Sequence, residues 1–526
     1  MRKLGLLILL VSSVMWFAAC GGNGGGGGGS VTGVSVSCSP STVGSGGTSQ
    51  CSAVVSGTGN FSSNVTWSSS AGSISSSGVF TAPTVSSNTT VTITATSTQN
   101  TSVSGTANVT VTPSSTTSNV APIVVDAGPP AAGGTVNIAF VSVKVCVPGS
   151  TTQCQTIDHV QVDTGSEGLR LIQNTNNNGG ELTLNLPPET IGGNALNECL
   201  VFEDGYVWGP VVTADVTVAG ESASSVPVQV MTPATAPRTC SSQNPAGGAG
   251  DTGGSVMAFG ANGLIGVGLF VNDCGPYCVS DGASCNGTNS APCVYYTCSG
   301  NTCTATNVAE SQQVPNPVTL FATDNNGVLI NFSTTVGDGG APTASGSLIF
   351  GIGTESNNNL SLAANVYPVP DQGNDAGNLI TTYSGVSYPT SFLDSGSNGL
   401  YFLDHSLTGI ALCGNSGNNA DYYCPNNPPQ SITVTNQGQD SNGNPLGPSA
   451  QATFSVENAL NLFNSNNSAF SALAGPFFPG CGTGNNPACA FDFGLPFFYG
   501  KNVFTAIDNQ PVSGCGSGCA GPFFAY

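Results

Sequence analysis

The chain has 526 residues, with 6 Lys and Arg against 27 Asp and Glu, a formal net charge of -21 at pH 7, and 72 glycines. So few cations exclude a nucleic-acid partner, which requires a basic footprint to neutralise phosphates. The length accommodates roughly two to four domains, and the Gly-, Ser-, Thr- and Val-rich composition points to an all-β fold with many turns.

Residues 1–19, MRKLGLLILLVSSVMWFAA, place Arg2 and Lys3 before an apolar run and Ala18 and Ala19 before Cys20. That is the pattern of an export signal cut after a small residue. The cysteine at the cut resembles the bacterial lipobox, with Phe17 where leucine is usual. The resemblance implies lipidation of Cys20 and a place in the bacterial cell envelope, facing the periplasm or the exterior. Residues 20–30 are nearly all glycine and read as a flexible tether. No later segment is apolar over a length that spans a bilayer, so membrane contact is expected through the lipid alone.

Of the 19 cysteines, those beyond Cys20 are even in number, which in an exported chain predicts disulfides. Pairing neighbours gives Cys38–Cys51, Cys146–Cys154, Cys199–Cys240, Cys274–Cys278, Cys285–Cys293, Cys298–Cys303, Cys413–Cys424, Cys481–Cys489 and Cys515–Cys519. Between Cys274 and Cys303 the cysteines are too dense for the sequence to fix their connectivity. A zinc cluster there is disfavoured, because no Cys-x-x-Cys pair is present.

Residues 31–113 carry short alternating stretches, among them VSVSCSPSTV, VTWSSS, VTITATS and ANVTVT, separated by turn residues. This pattern predicts a β-sandwich with Trp67 in its core. The segments VTWSSSAGSISSSGVFTAP and VTITATS resemble a bacterial immunoglobulin-like repeat, which implies a spacer or adhesive module. Residues 114–119 turn to Ser and Thr and read as a linker.

Apolar strands resume at Val120. Residues 160–171 read VQVDTGSEGLRL and residues 391–402 read SFLDSGSNGLYF. Both run from an apolar strand into Asp, Thr or Ser, Gly and Ser, then Gly-Leu and a further apolar residue. Two copies suggest a duplicated unit giving one carboxylate per half. Aspartates facing each other cannot both ionise easily, so Asp163 and Asp394 would share a proton and activate a water. Thr164, Gly165, Ser166, Ser395, Gly396 and Ser397 would support the two loops. The pattern resembles the pepsin family of aspartic peptidases. It implies a bilobal double-ψ β-barrel fold, with lobes over 120–335 and 336–526, after the Ig-like β-sandwich.

Residues 199–220, CLVFEDGYVWGPVVTADVTVAG, carry two alternating stretches around EDG, a hairpin signal. By the same resemblance this hairpin would cover substrate. Phe202 would stand where the family has its flap tyrosine, and Arg170 where it has a tryptophan partner. An Arg170–Phe202 cation–π contact is one replacement, and a hydroxyl from Tyr206 another. NGLIGVGLF over 262–270 and FDFGLPFF over 491–498 match the family's segments that thread beneath each aspartate loop. They place Gly266 and Gly494 as support glycines at similar distances downstream of their aspartates.

Asp251 also begins a DTG, but it follows GGAG and lacks a hydroxyl after the glycine, so it is set aside. Glu167 adds a third carboxylate that would either repel the pair or face solvent. His159 is expected to alternate within a strand and His405 to be solvated; neither has a ligand cluster. A serine-hydrolase elbow is absent. The expected function is a membrane-anchored aspartic endopeptidase acting on polypeptide as a monomer, with no metal and no cofactor. The alternative is a catalytically inactive pepsin-fold surface protein that binds peptides or serves as an adhesive or structural lipoprotein. The scarcity of cations also predicts tolerance of acid, since few like charges remain once the carboxylates are neutral.

Overall fold

The structure is a computed structural model. It describes residues 28–526 apart from 40, 45–47, 84, 86–88, 113–118, 176, 203–204, 242–251, 288–291, 374, 415–420, 427–428, 478–480, 482–488 and 515–519. The leader, Cys20, most of the tether, the linker up to Asn119, the tip of the EDG hairpin, Asp251 and the Cys515–Cys519 pair lie outside the described residues. The chain divides into two compact units, Met1–Thr116 and Thr117–Tyr526.

The first unit holds two four-stranded sheets. One runs Ser30–Ser39, Thr48–Thr58, Val79–Thr81, Ser73–Ile74, and the other Thr42–Gly44, Ser104–Thr112, Thr89–Ser97, Val65–Ser69. Alternation sends Phe80 of one sheet and Val91, Ile93, Val109 and Val111 of the other into a shared core. Trp67 packs against that core half-buried. Cys38 and Cys51 face each other in register and are bonded.

The second unit is also built of strands, and no α-helix among the described residues exceeds five residues. None is long and apolar enough to cross a membrane. Its two halves repeat one arrangement around the aspartates. In the first half the strand Cys154–Asp163 runs parallel to Gly263–Val267, which pairs antiparallel with Glu167–Ile172. Glu167–Ile172 in turn runs parallel to Glu221–Met231. In the second half Val386–Leu393 runs parallel to Asp492–Phe493, which pairs antiparallel with Leu400–Phe402, itself parallel to Ala474–Pro476. A late strand is thus threaded between the strands before and after each aspartate turn. Next to the aspartate turns these strands are covered on both faces and mostly apolar: Val160, Val162, Leu169, Leu171, Ile265 and Val267 are buried, as are Leu393, Leu400, Phe402 and Phe493.

A sheet joins the halves, in which Val120–Val125 pairs with Ala344–Phe350, then Gly327–Asn331, Asn502–Ala506 and Phe523–Ala525. Eight of the neighbour cysteine pairs are disulfides. The cysteines between 274 and 303, whose connectivity the sequence left open, pair as Cys274–Cys278, Cys285–Cys293 and Cys298–Cys303.

Candidate active site

Asp163 ends its strand and Asp394 directly follows one, and the glycine two residues on permits the chain to double back against each carboxylate. The Gly165 N–H donates to Asp163 Oδ1 at 2.7 Å, and the Ser166 hydroxyl to Asp163 Oδ2. The second copy is the same: the Gly396 N–H donates to Asp394 Oδ1 at 2.7 Å and the Ser397 hydroxyl to Asp394 Oδ2 at 2.9 Å. Every carboxylate oxygen therefore has a donor from its own loop.

The two loops face each other at close quarters. A Cβ on Gly165 would lie 2.6 Å from the Asp394 carboxyl carbon, and one on Gly396 would lie 2.5 Å from Asp163 Oδ1. Glycine is needed at both places because each supports the opposite carboxylate. Thr164 and Ser395 bind reciprocally. The Thr164 N–H donates to Ser395 Oγ at 3.1 Å and the Ser395 N–H to Thr164 Oγ1 at 2.9 Å. The Ser395 hydroxyl donates onward to the Val162 carbonyl at 2.8 Å. Gln161 adds a bond from Nε2 to the Gly396 carbonyl, 2.8 Å. Burial pushes the Asp163 carboxyl well above the usual carboxylate range, with the charge of Asp394 and a hydrogen bond to it acting in the same direction.

Of the support glycines, Gly266 sits in its threaded strand and Gly494 directly follows the other, Asp492–Phe493. Gly266 pairs with Asp163 and Gly168, and Phe493, just before Gly494, accepts the Asp394 N–H. A Cβ on Gly266 would meet the Glu167 main chain at 2.6 Å, and one on Gly494 the Gly399 carbonyl oxygen at 2.1 Å.

Three expectations are corrected. Arg170 makes no cation–π contact with Phe202. Its guanidinium is fully buried and bound to Glu198 Oε1 at 2.5 Å and Asp273 Oδ2 at 3.1 Å, because a buried cation requires counter-charges. Phe202 packs instead against the cluster of Ile172, Val207, Met231 and Val256. The Tyr206 hydroxyl does not bond to Arg170, whose partners are Glu167, Glu198 and Asp273; its side chain is buried among Cys199, Trp208, Cys240 and Tyr296. Glu167 does not add to the repulsion within the pair, and it is half-buried rather than turned out to solvent. Its Oε1 turns onto the threaded segment and accepts the Phe270 N–H at 3.1 Å. Burial pushes its carboxyl up to about 7, against the Phe270 hydrogen bond and the charge of Arg170. His159 lies in its strand but in the left-handed region, φ 44°, with Nδ1 2.7 Å from Asp158. His405 opens a short helix and is more than half exposed.

Sequence reasoning missed Asn137. It is fully buried, with φ 52°, and its Nδ2 donates to the carbonyls of Asn398 and Phe470. Its Oδ1 accepts from the Phe470 N–H and the Tyr499 hydroxyl. An isolated asparagine among turn residues gives no signal of this. Tyr401 was also missed, although aligning the two aspartate motifs sets it opposite Arg170.

The family model described as "Protein of unknown function (DUF3443)" matches residues 115–526. Among solved structures, the aspartic proteinase from Irpex lacteus is similar at 15% sequence identity with a TM-score of 0.39, over 73% of this chain and 93% of that one. No curated protein matches.

Proposed function

The chain belongs to this family of unknown function, so its activity has to be read from its own site, and we propose that it is an aspartic endopeptidase of bilobal, pepsin-like fold. The observation that carries the proposal is the opposed pair Asp163 and Asp394, each held by the same Gly N–H and Ser hydroxyl, with a glycine of each loop against the other carboxylate. The ionised member takes a proton from water as the oxygen adds to the peptide carbonyl carbon, and the protonated member gives its proton to the carbonyl oxygen. The tetrahedral diol collapses as the amide nitrogen gains a proton and the C–N bond breaks, leaving an acid and an amine. The shared proton is restored, and no further group is consumed. The substrate is polypeptide, extended between the lobes.

The first unit, read as an immunoglobulin-like sandwich, would hold this enzyme away from a membrane to which Cys20 is anchored through lipid. The second reading, a peptide-binding protein without catalysis, draws support from the hairpin, where Phe202 and Tyr206 pack inward.

Incubation with denatured casein from pH 3 to 7, with and without a statine-type inhibitor, separates the two. Inhibitable cleavage, abolished in Asp394→Asn with circular dichroism unchanged, is the expected result. Full activity in Asp394→Asn overturns the mechanism, and tight peptide binding without cleavage selects the second reading.

A further inference from the structure

Beyond the serine of each aspartate loop, the two halves place one long side chain at the same point of the repeat, Arg170 in the first and Tyr401 in the second. Both fold back over the glycine of their own loop. Arg170 Nη1 donates to the Glu167 carbonyl at 2.5 Å, and the Tyr401 hydroxyl donates to Asn398 Oδ1 at 2.5 Å. Glu167 directly follows Ser166, and Asn398 directly follows Ser397, the serines that donate to the outer carboxylate oxygens. The intervening glycines make room. Gly168 has φ +103°, and its Cβ would lie 3.0 Å from Arg170 Nη1, while a Cβ on Gly399 would lie 3.0 Å from the Tyr401 ring.

We propose that Arg170 and Tyr401 are positioning residues, each fixing the residue after a serine and through it the direction of one catalytic carboxylate. Arg170 holds its loop by a main-chain carbonyl and Tyr401 by a side-chain amide oxygen, and the two are themselves held differently. Tyr401 is braced by its ring and by Tyr422, hydroxyl to hydroxyl at 3.5 Å. Arg170 is clamped by Glu198 and Asp273. The Tyr295 hydroxyl donates to both Asp273 oxygens, at 2.8 and 2.9 Å, and accepts the Val314 N–H at 2.7 Å. Glu198 belongs to the strand Asn194–Phe202 of the hairpin, and Tyr295 to Tyr295–Ser299, which pairs with it. The root of the hairpin is thereby tied to the loop that carries Asp163. A buried cation between two carboxylates contributes little net stability compared with apolar packing; its use here is orientation.

The kinetic part of this inference rests on the peptidase reading; the part about loop order does not. Tyr401→Phe removes one hydroxyl and keeps the ring. It is expected to lower kcat about tenfold at unchanged KM, with normal circular dichroism, and to speed amide hydrogen exchange over 394–399 but not over 163–168. Arg170→Met is expected to do the reverse, and Arg170→Lys to restore part of the loss by returning charge without the planar fork. Should Arg170→Met not fold, Tyr401→Phe and Arg170→Lys carry the test. Unchanged kcat and unchanged local exchange in folded variants, with an active parent protein, overturn the proposal and leave the peptidase standing. A parent protein that cleaves nothing, but whose variants show the expected exchange, removes the peptidase and keeps the positioning role.

Discussion

Glu167 is a half-buried acid directly after the Asp163 loop, and its proton is held more tightly in the folded chain than in the unfolded one. Burial raises its carboxyl from 4.5 to about 7. For an acid with a raised value, the stabilisation is fully present below the unfolded pKa and is lost as pH climbs through the folded one. Between about pH 4.5 and 7 this group alone costs roughly 3 kcal/mol. Glu167→Gln does not titrate and can still accept the Phe270 N–H. It is therefore expected to match the parent protein at pH 4 and to be more stable at pH 8, by up to about 3 kcal/mol, measured as thermal midpoints at the two pH values. Equal midpoint differences at both would contradict the buried, titrating carboxyl. Asp163 and Asp273 are displaced in the same direction, each by burial first and then by a neighbouring carboxylate.

The threaded strands are where element and sequence agree most closely. The glycine within the first and the one just after the second are fixed by contact with backbone, which cannot yield as a side chain does: Glu167 at Gly266 and Gly399 at Gly494. Gly266→Ala and Gly494→Ala are each expected to cost about 3 kcal/mol or more in urea unfolding. Gly337→Ala, where a Cβ meets nothing within 4 Å, should stay within about 0.5 kcal/mol. The threading was legible because the aspartate turns and the Gly-containing apolar runs are local patterns, each complete within a dozen or so residues. The same holds for the disulfides other than Cys199–Cys240, which join cysteines at most 13 residues apart. Arg170 was misassigned for the opposite reason. Its partners Glu198 and Asp273 come from a hairpin strand and a loop far along the chain, and no local periodicity relates them. Asn137 was illegible in the same way, since its bonds reach Asn398, Phe470 and Tyr499.

At the scale of the molecule, 27 carboxylates against 6 strong bases mean that acid removes charge without leaving a cationic shell behind. The raised values of Asp163, Glu167 and Asp273 add to this, because each favours the folded state at low pH. Far-UV circular dichroism is expected to keep its folded form at pH 3 and to show a lower unfolding midpoint at pH 8 than at pH 5; melting at pH 3 well before pH 7 would refute this. The sheet that joins the halves has one more consequence. It brings Val120–Val125 into one row with Asn502–Ala506 and Phe523–Ala525. On the ribosome, Gly327–Asn331 is made long before Asn502–Ala506 exists to cover its second edge. A nascent chain therefore carries an open apolar strand edge from the completion of Gly327–Asn331 until Asn502–Ala506 is made, roughly a third of its translation, and the finishing step of folding waits for the last strands to be synthesised.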